Sequence, residues 1–105
     1  MKCGGFSYTE INDEHLTIIN SKKDEIEAIL IQKGRNGKIE HFEIIDIQHQ
    51  VVAGVNYLFK IKLQKDGEEH IQVRIYKNLS NETTIHSVDT EGWHWELTSR
   101  GGSQL

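Results

Sequence analysis

The chain has 105 residues, 36% hydrophobic and 27% charged, with a formal net charge of −4 at pH 7. That length fits one domain, and the apolar residues are too numerous and too regularly spaced for a disordered chain. Acidic and basic residues are interleaved and no basic stripe runs along any segment, which argues against nucleic acid as a partner.

Cys3 is the single cysteine, so no internal disulfide can form, which suits a reducing compartment. The start, Met1-Lys2-Cys3-Gly4-Gly5, lacks the apolar core of a signal peptide. Lysine at position 2 excludes N-myristoylation, and no apolar run is long enough to span a membrane. The expectation is a cytoplasmic protein with no membrane partner.

In chain order, residues 13 to 33 read as a helix. Asn12 is placed to cap it, and Asp13 and Glu14 suit the positive end of its dipole. Leu16, Ile19, Ile26, Ile29 and Leu30 recur at helical spacing, and Lys33-Gly34 reads as a basic last turn and a glycine stop. Residues 39 to 52, rich in isoleucine and valine, read as one long bent strand. Tyr57, Phe59, Ile61 and Leu63 alternate with polar residues, as do Ile71, Val73 and Ile75, and Asp66-Gly67 between them predicts a tight hairpin turn. A polar break precedes a weaker strand around residues 84 to 88, and Trp93, Trp95 and Leu97 mark a last candidate strand over 93 to 98. The predicted fold class is α+β: one amphipathic helix packed on a four- to five-stranded antiparallel sheet. The whole chain, 1 to 105, is expected to be a single domain, with residues 1 to 7 a flexible trunk and 99 to 105 a polar tail.

Gln50-Val51-Val52-Ala53-Gly54-Val55-Asn56-Tyr57 lies where one strand ends and the next begins. It resembles the Gln-x-Val-x-Gly motif of the cystatin family. Its longer form, with Ala53, Asn56 and Tyr57, is similar to the stefin branch, as are Gly4-Gly5-Phe6-Ser7 at the start, Leu79 further on and Glu96-Leu97-Thr98 near the end. The resemblance implies the cystatin-like fold and a reversible, tight-binding inhibitor of papain-like cysteine proteases of the cathepsin type, not an enzyme. It implies a wedge of three elements: the trunk with Gly4 and Gly5, a first loop with Gln50, Val51, Val52, Ala53 and Gly54, and a second loop with Leu79 and Ser80. Val51, Val52 and Ala53 are compact and apolar, so they bury area with little loss of side-chain freedom.

One departure bears on function. Stefins follow the second-loop leucine with proline, and this chain has Ser80; a looser second loop and weaker binding are expected. That departure motivates the alternative reading, a non-inhibitory binding module on the same scaffold. The expected assembly is a monomer, with a domain-swapped dimer open to it if the first loop extends.

Other residues carry less. The six histidines show no zinc spacing, and no cofactor or metal is expected. His49, directly before the first loop, is a candidate for tuning binding between about pH 5 and 7. Nothing near Cys3 except Lys2 favours a reactive thiolate. Asn78-Leu79-Ser80 and Asn81-Glu82-Thr83 are glycosylation sequons on the second loop, expected to stay unmodified in the cytosol. Gly34-Arg35-Asn36-Gly37 follows a helix instead of opening one, so it is a turn and not a phosphate loop. Glu68, Glu69 and His70 fall on a hairpin rim, where charges are solvated, and no nucleophile and base can be paired from the sequence.

Overall fold

A computed structural model describes residues 5 to 67 and 69 to 90. The predicted strand over 93 to 98 with its two tryptophans, the polar tail, Gly4 and Glu68 lie outside the described residues. The elements in order are β1 (Ser7–Thr9), α1 (Asp13–Ser21), α2 (Lys23–Gln32), β2 (Glu43–Val52), β3 (Gly54–Lys62), β4 (His70–Lys77) and β5 (Thr83–Asp89).

Asn12 caps α1 as its sequence position predicts. Its Oδ1 accepts from the His15 backbone N–H at 3.0 Å, and the His15 ring Nδ1 accepts from the Asn12 N–H at 3.1 Å, a reciprocal capping box. The single helix expected over 13 to 33 is two segments meeting at Lys22, whose backbone departs from helical geometry (φ −106°, ψ 3°). The hydroxyl of Ser21 donates to the Ile18 carbonyl at 2.7 Å, which competes with the regular ladder and accompanies the break. Ile26 N–H still donates to the Lys22 carbonyl at 2.8 Å, so α2 follows without a loop. At its end Gly34 takes φ +109°, Gly34 N–H bonds Ile31 O, and Arg35 N–H bonds Leu30 O. This is the Schellman stop that a glycine after Lys33 foretells.

Five described strands form one antiparallel sheet in the order β1-β2-β3-β4-β5. The helices cover one face. Ile18, Ile19, Ile26 and Leu30 meet Ile47, Phe59, Ile61, Ile71, Val73, Ile75 and Val88 there, and Ile26, Phe59 and Val73 are fully buried. Full burial of each large aliphatic or aromatic side chain contributes about 1.5–3 kcal/mol relative to exposure.

Three expectations are corrected. Leu16 is 42% exposed, because the buried stripe runs through His15, Ile18 and Ile19, which turns Leu16 outward. The strand expected from residue 39 begins at Glu43; Ile39 is buried from a loop, its N–H held by the Glu27 carboxylate. The turn at Asp66-Gly67 is a longer loop over 63 to 69, closed by Leu63 N–H to Glu69 O at 2.8 Å. Arg35 holds that loop from outside, with Nε and Nη2 donating to the two Glu69 carboxylate oxygens at 3.0 and 3.3 Å. Strand β1 carries no alternation that foreshadows it.

Candidate functional site

Antiparallel register brings three distant segments to one end of the sheet. Val51 pairs with Val55 and Val52 with Gly54, so Ala53 is the apex of the β2–β3 hairpin. Val55 pairs with Lys77, which sets the β4–β5 loop beside that apex. Ser7 pairs with His49, so the chain before β1 runs toward the same end on the other side. Gly5 and Phe6, the first loop and the second loop therefore lie in a row. An open cavity of about 440 Å³, between the segment at Lys38 and His41 and the one at Leu63 and Lys65, lies at the opposite end.

The row exposes three large apolar side chains. Leu79 is 79% exposed, Val51 68% and Val52 43%, in a domain whose other isoleucines and valines are mostly buried. Gly5 and Ser80 are exposed. Gln50 is half-buried and turned into the sheet, where its Oε1 accepts from Asn56 Nδ2 at 3.1 Å and ties the two hairpin strands.

Gly54 is buried at φ +110°. A Cβ there would collide with the Lys77 carbonyl oxygen and lie 2.8 Å from the Tyr76 hydroxyl oxygen, so both conformation and space require glycine. The Tyr76 hydroxyl donates to the Ala53 carbonyl.

No protein-family model matches the chain. Among curated proteins, Cystatin-B of Bos taurus is 32% identical over 102 residues, covering 93% of this chain and 98% of that protein. Stefin-C of Bos taurus is 34% identical over 79 residues, 75% of this chain and 72% of the relative. Cystatin-A1 of Dictyostelium discoideum is 31% identical over 81 residues, 77% of this chain and 76% of the relative. The chain belongs to the cystatin–stefin family. Membership implies a cysteine-protease-inhibitory role carried out without enzymatic chemistry.

The second loop is closed around the Asn78 side chain. The Asn78 Oδ1 accepts from Ser80 N–H at 2.8 Å and from Glu82 N–H at 2.9 Å, while its Nδ2 donates to the Glu82 carboxylate at 2.9 Å. Backbone bonds Asn78 N–H to Glu82 O and Asn81 N–H to Asn78 O close the loop, with Asn81 at φ +67°. Ser80, where looseness is expected for want of a proline, has its N–H held by the Asn78 side chain. An Asn two residues before a Ser is a turn signal the sequence did carry. The same amide is the sequon nitrogen of Asn78, and a glycan there would replace one of its two hydrogens beside Glu82.

Further anchors were not legible. The Arg74 guanidinium lies over the Phe6 ring at 5.1 Å, which fixes the chain just after Gly5. The Lys77 ammonium pairs with the Glu14 carboxylate and lies 5.8 Å from the centre of the Tyr57 ring, joining the start of α1 to the base of both loops. The hydrogen bond to Lys77 lowers the Glu14 pKa, and the bond to Glu14 raises that of Lys77. The Glu14 carboxylate is more than half exposed, so solvent screens the pair and it contributes little to stability. His15, buried against Tyr57 at 5.4 Å, has its pKa lowered by burial, with Glu14 pulling the other way. His49 is half-buried on the same face, paired with Tyr57 across the sheet. Among the described residues no group of three His, Cys, Asp or Glu side chains is placed to hold a metal ion, and no helix is long and apolar enough to cross a membrane.

Proposed function

We propose that this protein is a reversible, tight-binding inhibitor of papain-like cysteine proteases of the cathepsin type, acting as a wedge in the active-site cleft. The observation that carries this reading is the row of exposed apolar side chains, Val51, Val52 and Leu79, presented by two tight loops at one end of a rigid sheet. The first loop, with Gln50 and Ala53 shaping it and Val51 and Val52 facing outward, enters the cleft beside the catalytic cysteine. Leu79 and Ser80 fill the subsites on one side, and Gly4 and Gly5 let the trunk follow those on the other. Gly54 allows the sharp return of the chain, and preorganisation by the sheet keeps the entropy cost of binding low.

Blocking the cleft requires no chemistry from the inhibitor. The working compartment is the cytoplasm and the working form a monomer; a domain-swapped dimer that opened the β2–β3 hairpin would consume the first loop and be inactive. The restraint that Asn78 places on the second loop favours inhibition over a scaffold that has lost it. Gly54→Arg tests the reading: papain inhibition is expected to vanish in a folded monomer, and undiminished inhibition by that variant would overturn it.

A further inference from the structure

Tyr76 stands on β4, on the sheet face away from the helices, in the cross-strand row Gln50, Asn56, Tyr76 and Thr84. Its ring crosses the place where a side chain at Gly54 would stand, with Cε1 3.0 Å and the hydroxyl oxygen 2.8 Å from that position. Its hydroxyl donates to the carbonyl oxygen of Ala53, the acceptor at the hairpin apex. The ring is itself steadied by His86, edge-on at 6.2 Å and 68°. His86 is the extra residue of a β-bulge, since Arg74 pairs with Ser87 and Ile75 with Ile85, and the bulge re-aims its side chain.

Resting on the wedge reading above, we infer that Tyr76 is a positioning residue that holds the Ala53 carbonyl toward the back of the sheet and so keeps the Ala53–Gly54 bond from serving as a substrate. Cleavage there needs the protease thiolate to attack the Ala53 carbonyl carbon and the Gly54 nitrogen to leave with a proton. Water must then release the Ala53 carboxylate from the enzyme. Attack also requires the carbonyl oxygen to turn into the enzyme's oxyanion donors. An oxygen already accepting from Tyr76 must first break that bond, and the ring beneath Gly54 opposes the rotation. The Gln50–Asn56 bond on the same row closes the hairpin below it.

The test compares wild type with Tyr76→Phe, which keeps the ring and its contact with His86 and removes only the donor. With papain in excess, wild type is expected to be recovered whole. The variant is expected to bind roughly 3- to 10-fold more weakly, the loss of one hydrogen bond. It is also expected to accumulate the fragment ending at Ala53 by mass spectrometry, with its thermal midpoint nearly unchanged. Equal affinity and equal integrity of the two proteins would overturn the inference. If wild type itself fails to inhibit, the wedge reading falls. The clamp is then judged in the free protein, where a shift of the Ala53 carbonyl carbon resonance between wild type and variant supports it and identical resonances refute it.

Discussion

His15 completes the cap of α1 through a lone pair on Nδ1, and protonation removes that lone pair. Burial lowers its pKa in the folded protein, against the pull of Glu14 and with His49 and Lys77 adding to the shift. The unfolded chain therefore takes up the proton first as pH falls. The stability due to neutral His15 is complete above an unfolded value of about 6.5 and is lost as pH drops below it toward the folded value. His15→Gln keeps a capping-box partner at the third helical position without the titration. In urea unfolding at pH 7 and pH 5, the variant is expected to lose less stability on acidification than wild type; equal losses would show that His15 does not titrate in this window. Gly54 gives the second expectation at this scale. Gly54→Ala must hold a Cβ at positive φ against the Lys77 carbonyl, which costs about 2 kcal/mol or more and distorts the apex. Weaker inhibition with a lower thermal midpoint checks it. Gly54 and Asn12 were legible as residues because each has one local reason to be there. Tyr76, Arg74 and Lys77 were not, because their partners Ala53, Phe6 and Glu14 meet them only across the sheet.

Among the elements, the second loop shows how a missing proline is replaced. Asn78 satisfies two backbone donors with one oxygen, and one of those donors is the Ser80 N–H that a proline would lack. Asn78→Ala leaves both without this acceptor and loosens the presentation of Leu79. The expected result is roughly 3- to 10-fold faster dissociation from papain, the scale of one or two modest hydrogen bonds, with association little changed. Unaltered dissociation would mean that the loop is ordered by other means. Helix ends were legible because caps are local chemistry, written in Asn12 and Gly34. The break at Lys22 was not, since no proline or glycine marks it, and the apolar period continues through it. The β3–β4 connection was misread because Asp66-Gly67 looked sufficient for a two-residue turn, whereas Arg35, far away in sequence, holds the longer loop through Glu69.

For the whole molecule, helix and sheet meet through a small set of fully buried side chains, and a domain of this size has few to spare. Ile26→Ala, at a site with no exposure, is expected to destabilise by about 2–4 kcal/mol in denaturant unfolding, whereas Leu16→Ala on the outer surface is expected to change stability by less than about 1 kcal/mol. Equal effects would mean that the helix face is wrongly assigned. The α+β architecture was legible because periods of helix and strand follow one another without interruption. The row of loops was legible only through the Gln50 to Tyr57 motif: nothing local tells Gly5, Ala53 and Leu79 that they share an edge, and register does that. The central claim is that this edge closes the cleft of a papain-like protease. Titrating papain of known active-site concentration with the purified monomer, against a fluorogenic substrate, tests it most directly. Activity is expected to fall linearly to zero near one inhibitor per enzyme, with the inhibitor recovered intact; full papain activity in the presence of micromolar folded monomer would rule this out.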